Sequence, residues 1–312
     1  MNPTSASYHV PVMPAETVGH LVTAADGVYV DGTLGGGGHA ELICRRLAAG
    51  GTLIGIDADA DAQAAAAQRL QPFASSIRLV HDNTSNIRAI LRSLQIPTIH
   101  GLLLDLGVSS YQLDTPGKGF SFRGDEPLDM RMDRRQPLDA RTVINTYGEE
   151  ELANVIFRYG EERASRRIAR AVVRRRTERP VDTTGDLARL VEESVGGRFA
   201  VKSLARVFQA VRIEVNGELE RLRSILRDSM EVLASGGRIV VISYHSLEDR
   251  IVKTFFQECA AESVPSGSKY LPDTPRTPDL RILTRKPVEA SEDERSANPR
   301  SRSAKLRAAE RV

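Results

Sequence analysis

The feature that most constrains this chain is residues 28–39. Val28-Tyr29-Val30-Asp31 is a short β-branched run ending in an acid. Gly32-Thr33-Leu34 follows, then four consecutive glycines, Gly35 to Gly38, and His39. Ala40-Glu41-Leu42-Ile43-Cys44-Arg45-Arg46-Leu47 then reads as a helix. Strand, glycine loop and helix in that order make a cradle for a phosphate or a cofactor. Glycines admit positive φ and let backbone N–H groups approach a ligand, and the helix start adds partial positive charge. A binding-free turn is the bland alternative. Four glycines in a row weaken a loop unless close approach requires them.

The loop alone does not select its ligand. Gly35-x-Gly37-x-x-Ala40 satisfies the dinucleotide fingerprint, and Asp57 ends the next strand twenty residues after Gly37, where a ribose-binding acid belongs. A nicotinamide oxidoreductase is therefore one reading. Charge favours another. Asp31 stands directly before the loop, and Asp105 closes a later strand at Leu102-Leu103-Leu104-Asp105. Acids at strand tips repel a diphosphate. S-adenosylmethionine carries a sulfonium and an ammonium against one carboxylate, and that net cation suits them.

The remaining elements predict the architecture. Strands at 51–57, 77–82 and 99–106 alternate with helices at 59–70 and 86–94, after a first helix at about 14–25. That alternation is an α/β doubly wound, Rossmann-like sheet. From about residue 113 the texture becomes loop-like, then helical without strands through Gly196. A single long amphipathic stretch is expected from Leu204 to about Leu233, then a fifth strand at 238–243, a helix at 246–259, and a last strand near 281–284. The end, Ser291 to Val312, reads as a polar, basic tail. Strands that resume after a helical stretch mean an all-helical domain inserted into one α/β domain. The expected bounds are 1–112 and 207–312 for the sheet domain and 113–206 for the insertion.

Composition narrows the function classes. At 312 residues, 41% apolar and 27% charged, the chain can bury a core, and its net charge of +2 is close to neutral. Basic function must then be local. Residues 158–179 hold nine arginines against three acids, and Arg163, Arg166, Arg167, Arg170 and Arg174 recur at helical spacing. Charged helix faces are usually just solvated. This local excess makes RNA phosphate contact the better reading. Tryptophan is absent and aromatics are 5% of the chain, which favours folded RNA with an extruded base over binding by stacking alone. Cys44 and Cys259 have no CxxC partner, so a reducing, cytoplasmic setting is expected, with no cysteine-based zinc site. The six histidines form no His-x-x-x-His pair, so no metal is expected. No apolar stretch approaches membrane-spanning length and the start carries no leader pattern, so no membrane partner is expected either.

Longer motifs run nearly end to end. Asp31-Gly32-Thr33-x-Gly-x-Gly37-Gly38-His39 is followed by Leu103-Leu104-Asp105-Leu106-Gly107-Val108-Ser109-Ser110-x-Gln112-Leu113-Asp114 and by Gly119-Phe120-Ser121-Phe122. Then come Pro127-Leu128-Asp129-Met130-Arg131-Met132, Tyr159-Gly160-Glu161-Glu162, and Phe208-Gln209-Ala210-Val211-Arg212-Ile213 with Val215-Asn216. Ser243-Tyr244-His245-Ser246-Leu247-Glu248-Asp249-Arg250 and Asn298-Pro299-Arg300-Ser301-Arg302-Ser303 complete the set. In these motifs the chain resembles the RsmH (MraW) methyltransferases. The resemblance implies S-adenosylmethionine-dependent methylation of the exocyclic N4 of one cytidine in the decoding centre of 16S rRNA, in the small ribosomal subunit. It places Gly37, Gly38, His39, Asp57, Asp105 and Gln112 at cofactor contacts, beside Asp31. The position of Thr84 is also a contact, where the family often has phenylalanine.

Asp105 is the residue expected at the reacting centre. A cytosine N4 lone pair is delocalised, and acceptors at its N–H bonds favour a pyramidal nitrogen aimed at the methyl carbon. Ser109 and Ser110 are candidates for positioning the base, although capping a turn is their commoner role. Asn216 and Glu218, with Ser243 and His245, are expected at the same sheet edge, and Asn216 joins the catalytic candidates. A non-catalytic RNA-binding assembly factor is the third reading. Sequence leaves the oligomeric state open, a homodimer included.

Overall fold

A computed structural model describes residues 10–108, 115, 117–197, 200–267 and 270–312. These fall into two compact units, one of two chain segments, Met1–Gly107 with Leu219–Val312, and one of a single segment, Val108–Glu218.

The first unit is built on a sheet. Its parallel part comprises β1 (Val28–Asp31), β2 (Thr52–Asp57), β3 (Ile77–His81), β4 (Ile99–Asp105) and β5 (Leu233–Ser243). A two-stranded ribbon pairs β6 (Ser263–Val264) with β7 (Thr274–Pro275). The sheet is completed by β8 (Leu280–Ile282), β9 (Val288–Glu289) and β10 (Lys305–Arg311), in the order β3-β2-β1-β4-β5-β10-β8, with β9 also paired to β10. The strand order reverses between β1 and β4, where crevices form at the carboxyl ends of open α/β sheets.

Period-two alternation divides the core between the two faces. Tyr29, Leu53, Leu103, Val240 and Ile242 pack on one face with α1 (Pro14–Leu21), α2 (Gly38–Cys44) and α3 (Ala60–Arg69). Val30, Ile54, Leu102, Leu104 and Val241 pack on the other with α4 (Ile87–Ser93) and two later helices. Burial on both faces explains the near-continuous apolar reading of β4.

The second unit is helical: α5 (Ala140–Thr146), α6 (Glu149–Gly160), α7 (Ser165–Glu178), α8 (Thr184–Val195) and α9 (Ala200–Asn216). Its core gathers Ile144, Leu152, Ile156, Ile168, Val172, Leu187, Val191, Val207 and Val211, with Phe120, Leu128 and Met130 from the preceding loops. The first unit resumes with α10 (Glu218–Val232) and continues with α11 (Ser246–Cys259) and α12 (Glu292–Ala297). Leu222 and Leu226 of α10 and Val252 and Phe256 of α11 complete the second face of the sheet.

Three expectations are corrected. The boundary expected at 206/207 falls inside α9, whose Leu204, Val207, Phe208 and Val211 belong to the helical core. The single stretch from Leu204 to Leu233 is two helices, broken at Gly217, which takes φ +58°. The basic tail ends in a strand: β10 runs antiparallel to β5, with Leu306, Ala308 and Ala309 fully buried. Alanines gave that strand little apolar signal. Its Arg307 is buried by an ion pair to Asp249 at 2.7 Å.

Candidate functional site

The first unit concentrates carboxylates at the ends of β1, β2 and β4. The glycine loop after β1 is fastened to the sheet by main-chain bonds. Gly32 N–H donates to the Leu103 carbonyl at 2.9 Å, and Leu34 N–H to the Ile56 carbonyl at 3.1 Å. Gly35 and Gly37 take φ of +50° and +77°, so two of the four glycines meet the left-handed requirement that the run suggested. The Thr33 hydroxyl accepts the Asp105 N–H at 2.6 Å, which links this loop to the end of β4.

Asp31 is 1% exposed, and its Oδ1 accepts the Thr33 N–H at 3.2 Å. Burial raises its pKa to about 7. His39 and the Thr33 bond oppose that rise, and the charges of Asp105 and Asp57 add to it. Asp57 accepts the Gly35 N–H at 2.8 Å on one oxygen and the Asp59 N–H at 2.9 Å on the other. The helix-capping role belongs to Asp59, which accepts the Asp61 N–H at 3.1 Å. A carboxylate offers about four acceptor positions, and these two bonds engage one on each oxygen.

Asp105 is held on two sides. Its Oδ1 accepts the Tyr244 hydroxyl at 2.7 Å, and its Oδ2 lies 3.4 Å from His39 Nε2. His39 is 6% exposed, and neither ring nitrogen has a hydrogen-bond partner among the described residues. Buried polar nitrogens without partners mark a site that a ligand can complete. Tyr244 is the residue that the sequence reading missed. Burial and the neighbouring Asp105 carboxylate hold its hydroxyl well above the usual phenol range, so it is a donor at neutral pH. Glu248 anchors its backbone, accepting the Tyr244 N–H at 2.9 Å. The available signals were its place in the Ser243–Arg250 motif and its position directly after β5, the neighbour of β4 in the sheet. Gly107, at φ +99°, would bring a Cβ to 3.3 Å from the Tyr244 ring, so the chain after Asp105 needs a glycine there.

Other expected residues have different surroundings. Thr84 is buried and its hydroxyl donates to the Gly32 carbonyl, so it braces the glycine loop. His245 caps α11, its Nδ1 accepting the Glu248 N–H at 3.4 Å. Asn216, a catalytic candidate from the sequence, has a clamping role in the fold. It is 1% exposed in the helical unit, where its Oδ1 accepts the Met132 N–H at 2.9 Å. Its Nδ2 donates to the carbonyls of Met130 and Arg212 at 2.8 and 2.9 Å. That amide clamps a loop whose Met130 sits at φ +59°. Ser109, Ser110 and Gln112 lie outside the described residues.

In the helical unit Arg163, Arg166, Arg167, Arg170 and Arg174 are all exposed. Arg170 lies 3.4 Å from Glu149, and for the other four no carboxylate partner occurs among the described residues. Arg176, counted in the same basic run, is structural. Its guanidinium donates to the carbonyls of Ile144 and Tyr147 at 2.7 and 2.5 Å.

A parallel sheet with an antiparallel partner for β5, a glycine loop after β1 and acids closing β1, β2 and β4 define a Rossmann-like methyltransferase domain that binds a cationic methyl donor. The residues fit S-adenosylmethionine. Asp31, Asp57 and Asp105 oppose its positive charge, and His39 Nδ1 has no hydrogen-bond partner among the described residues.

Comparison with known proteins extends this. The model of the MraW methylase family matches residues 6–312. The ribosomal RNA small subunit methyltransferase H of Clostridium botulinum strain Kyoto is 45% identical over 97% of this chain and 99% of its own length. That of Carboxydothermus hydrogenoformans is 47% identical over 97% and 98%. Among solved structures, an rRNA methylase from Streptococcus thermophilus aligns with a TM-score of 0.42 at 10% identity, covering 96% of this chain and 93% of that one. The chain belongs to the MraW methylase family. It is an S-adenosylmethionine-dependent rRNA methyltransferase. No helix among the described residues is long and apolar enough to cross a membrane.

Proposed function

We propose that this enzyme methylates the exocyclic N4 of a cytidine in the decoding centre of 16S rRNA, within the small ribosomal subunit and in the cytoplasm. The observation that carries the reading is the Asp105 carboxylate, one oxygen held by Tyr244 and the other facing His39, beside Asp31 and Asp57. The relatives' names support the small-subunit substrate.

S-adenosylmethionine supplies the electrophilic methyl group. Asp57 would accept the ribose hydroxyls, as a carboxylate closing β2 can. Gly37, Gly38 and His39 would receive the polar end of the cofactor, and Asp31 would meet its positive charge. Thr84 acts through the loop it braces. Asp105 accepts an N–H of the target amine, which orients the nitrogen lone pair for in-line displacement. Tyr244 fixes the rotamer of that carboxylate, and the other oxygen, 3.4 Å from His39 Nε2, is the one that would meet the base. Ser109 and Ser110 position the cytosine and Gln112 the cofactor, on the sequence pattern alone. The exposed arginines from Arg163 to Arg174 contact phosphates. The mechanism calls for no metal and leaves room for a monomer or a homodimer.

The test is incubation with radiolabelled S-adenosylmethionine and small subunits from a strain lacking the enzyme, followed by nucleoside analysis. N4-methylcytidine is expected, and Asp105→Ala should abolish it while RNA binding survives. Label in any other nucleoside, or unchanged transfer by Asp105→Ala, overturns the assignment.

A further inference from the structure

Phe157 of α6 is 58% exposed, and it is the only exposed phenylalanine among the described residues. Single exposed apolar side chains are ordinary. The surroundings of this one are not. Helices α6 and α7 run antiparallel: Arg170 meets Glu149, and Arg176 reaches back to Ile144 and Tyr147 just before α6. From the Glu149–Arg170 level, Phe157 lies about 12 Å along α6 at the helical rise. Arg166 lies one turn back along α7, and Arg163 a turn beyond, at the corner between the helices. Phe157 is therefore level with the stretch that carries Arg163 and Arg166.

The corner is rigid. Gly160 packs so closely on α9 that a Cβ would meet the Arg206 carbonyl at 2.5 Å. Glu162 is 4% exposed and accepts from the Ala164 N–H, the Ser203 hydroxyl and Arg206. That arrangement brings the start of α9, with exposed Val201 and Lys202, to the same corner. A cavity lined by Glu149, Glu150, Glu151, Asn154, Arg158, Tyr159 and Glu214 runs along α6 from its first turn.

We propose that Phe157 is a stacking platform for an unpaired base of the RNA, with Arg163, Arg166 and Lys202 holding the flanking phosphates. The proposal rests on the RNA reading above and deepens it. It commits to a single-stranded or bulged nucleotide, because a base inside a duplex has no free π-face to offer. The exposed charges at this corner are Arg163, Arg166 and Lys202 against Glu161, and that cationic excess beside an aromatic suits a nucleotide, which presents a ring beside a negative charge.

The test compares Phe157→Ala, Phe157→Leu and Phe157→Tyr in the full-length enzyme. The probes are an RNA hairpin with an unpaired loop and a blunt RNA duplex with the same number of phosphates. Phe157→Ala and Phe157→Leu should each weaken hairpin binding by roughly 5- to 100-fold, the range of a lost base–aromatic stack. Duplex binding should be unchanged, and Phe157→Tyr should restore the hairpin. The salt dependence should keep its slope, since stacking releases no counterions, whereas Arg163→Gln with Arg166→Gln should flatten it. Full hairpin affinity in Phe157→Leu, or equal losses on both probes, overturns the platform. A flattened slope in the arginine variant then leaves the RNA face standing, and an unchanged slope removes that face as well. A change of sedimentation coefficient in Phe157→Ala without RNA would assign the residue to a contact between copies and overturn the proposal.

Discussion

Replacing Asp31 by Asn tests the electrostatic core of the site. The carboxyl is fully buried, and its pKa moves from the ordinary 3.8 to about 7. A raised folded pKa means that the native state favours the protonated form. Its contribution to stability is complete below 3.8 and is lost as pH rises through about 7. The gap corresponds to roughly 4 kcal/mol at about 1.4 kcal/mol for each tenfold change. Asparagine has the shape of the protonated acid, keeps an acceptor for the Thr33 N–H and never ionises. Without cofactor, the two proteins should therefore match in stability near pH 4. The variant should gain about 1.4 kcal/mol per pH unit up to about pH 7, then hold an advantage of roughly 4 kcal/mol. Urea unfolding followed by circular dichroism across pH 4–8 measures this difference, and titrations common to both proteins cancel. Cofactor affinity should move the other way, because the variant has lost the charge that attracts a cation. A stability difference that is flat with pH would refute the reasoning, and so would cofactor affinity that improves in the variant.

Other outcomes follow from the same contacts. Tyr244→Phe removes the donor to Asp105 and should lower kcat more than it raises the KM for S-adenosylmethionine, with a stability loss of about 1–2 kcal/mol on denaturation. Gly107→Ala must hold φ +99° against the Tyr244 ring, and its cost of about 1–3 kcal/mol should appear as a lower Tm. Asn216→Ala leaves the Met132 N–H and the Met130 carbonyl without their partner and should destabilise the helical unit by about 2–3 kcal/mol, read by hydrogen exchange in residues 130–216. Arg176→Ala should likewise lower stability by about 1–3 kcal/mol but leave the salt dependence of RNA binding unchanged, because its guanidinium is engaged with Ile144 and Tyr147.

Much of the sheet was legible because its signals are local. Glycines that need positive φ must follow β1, and apolar runs bounded by acids mark strands buried on both faces. The acids stand at strand ends in the sequence itself, so Asp31, Asp57 and Asp105 could be named before any fold was drawn. The strand β10 was not legible. Its Lys305, Arg307 and Glu310 read as solvated tail, and only pairing with β5 and the Asp249 partner of Arg307 make burial affordable. The break at Gly217 was hidden for a related reason, since apolar spacing continues through it from α9 into α10.

The distinction between similar residues was a tertiary decision. Arg176 and Arg174 stand two positions apart in one basic helix, and one grips two carbonyls while the other is exposed. Asn216 sits in a motif that reads as catalytic, yet its amide is closed by three backbone groups. Tyr244 looks like any aromatic after a strand until β4 and β5 lie side by side and bring its hydroxyl to Asp105. Residue type and spacing specify which chemistry is available, because charge and backbone freedom belong to each residue. Which of those groups remain free to act depends on partners distant in sequence, and only the folded chain brings them within hydrogen-bonding reach.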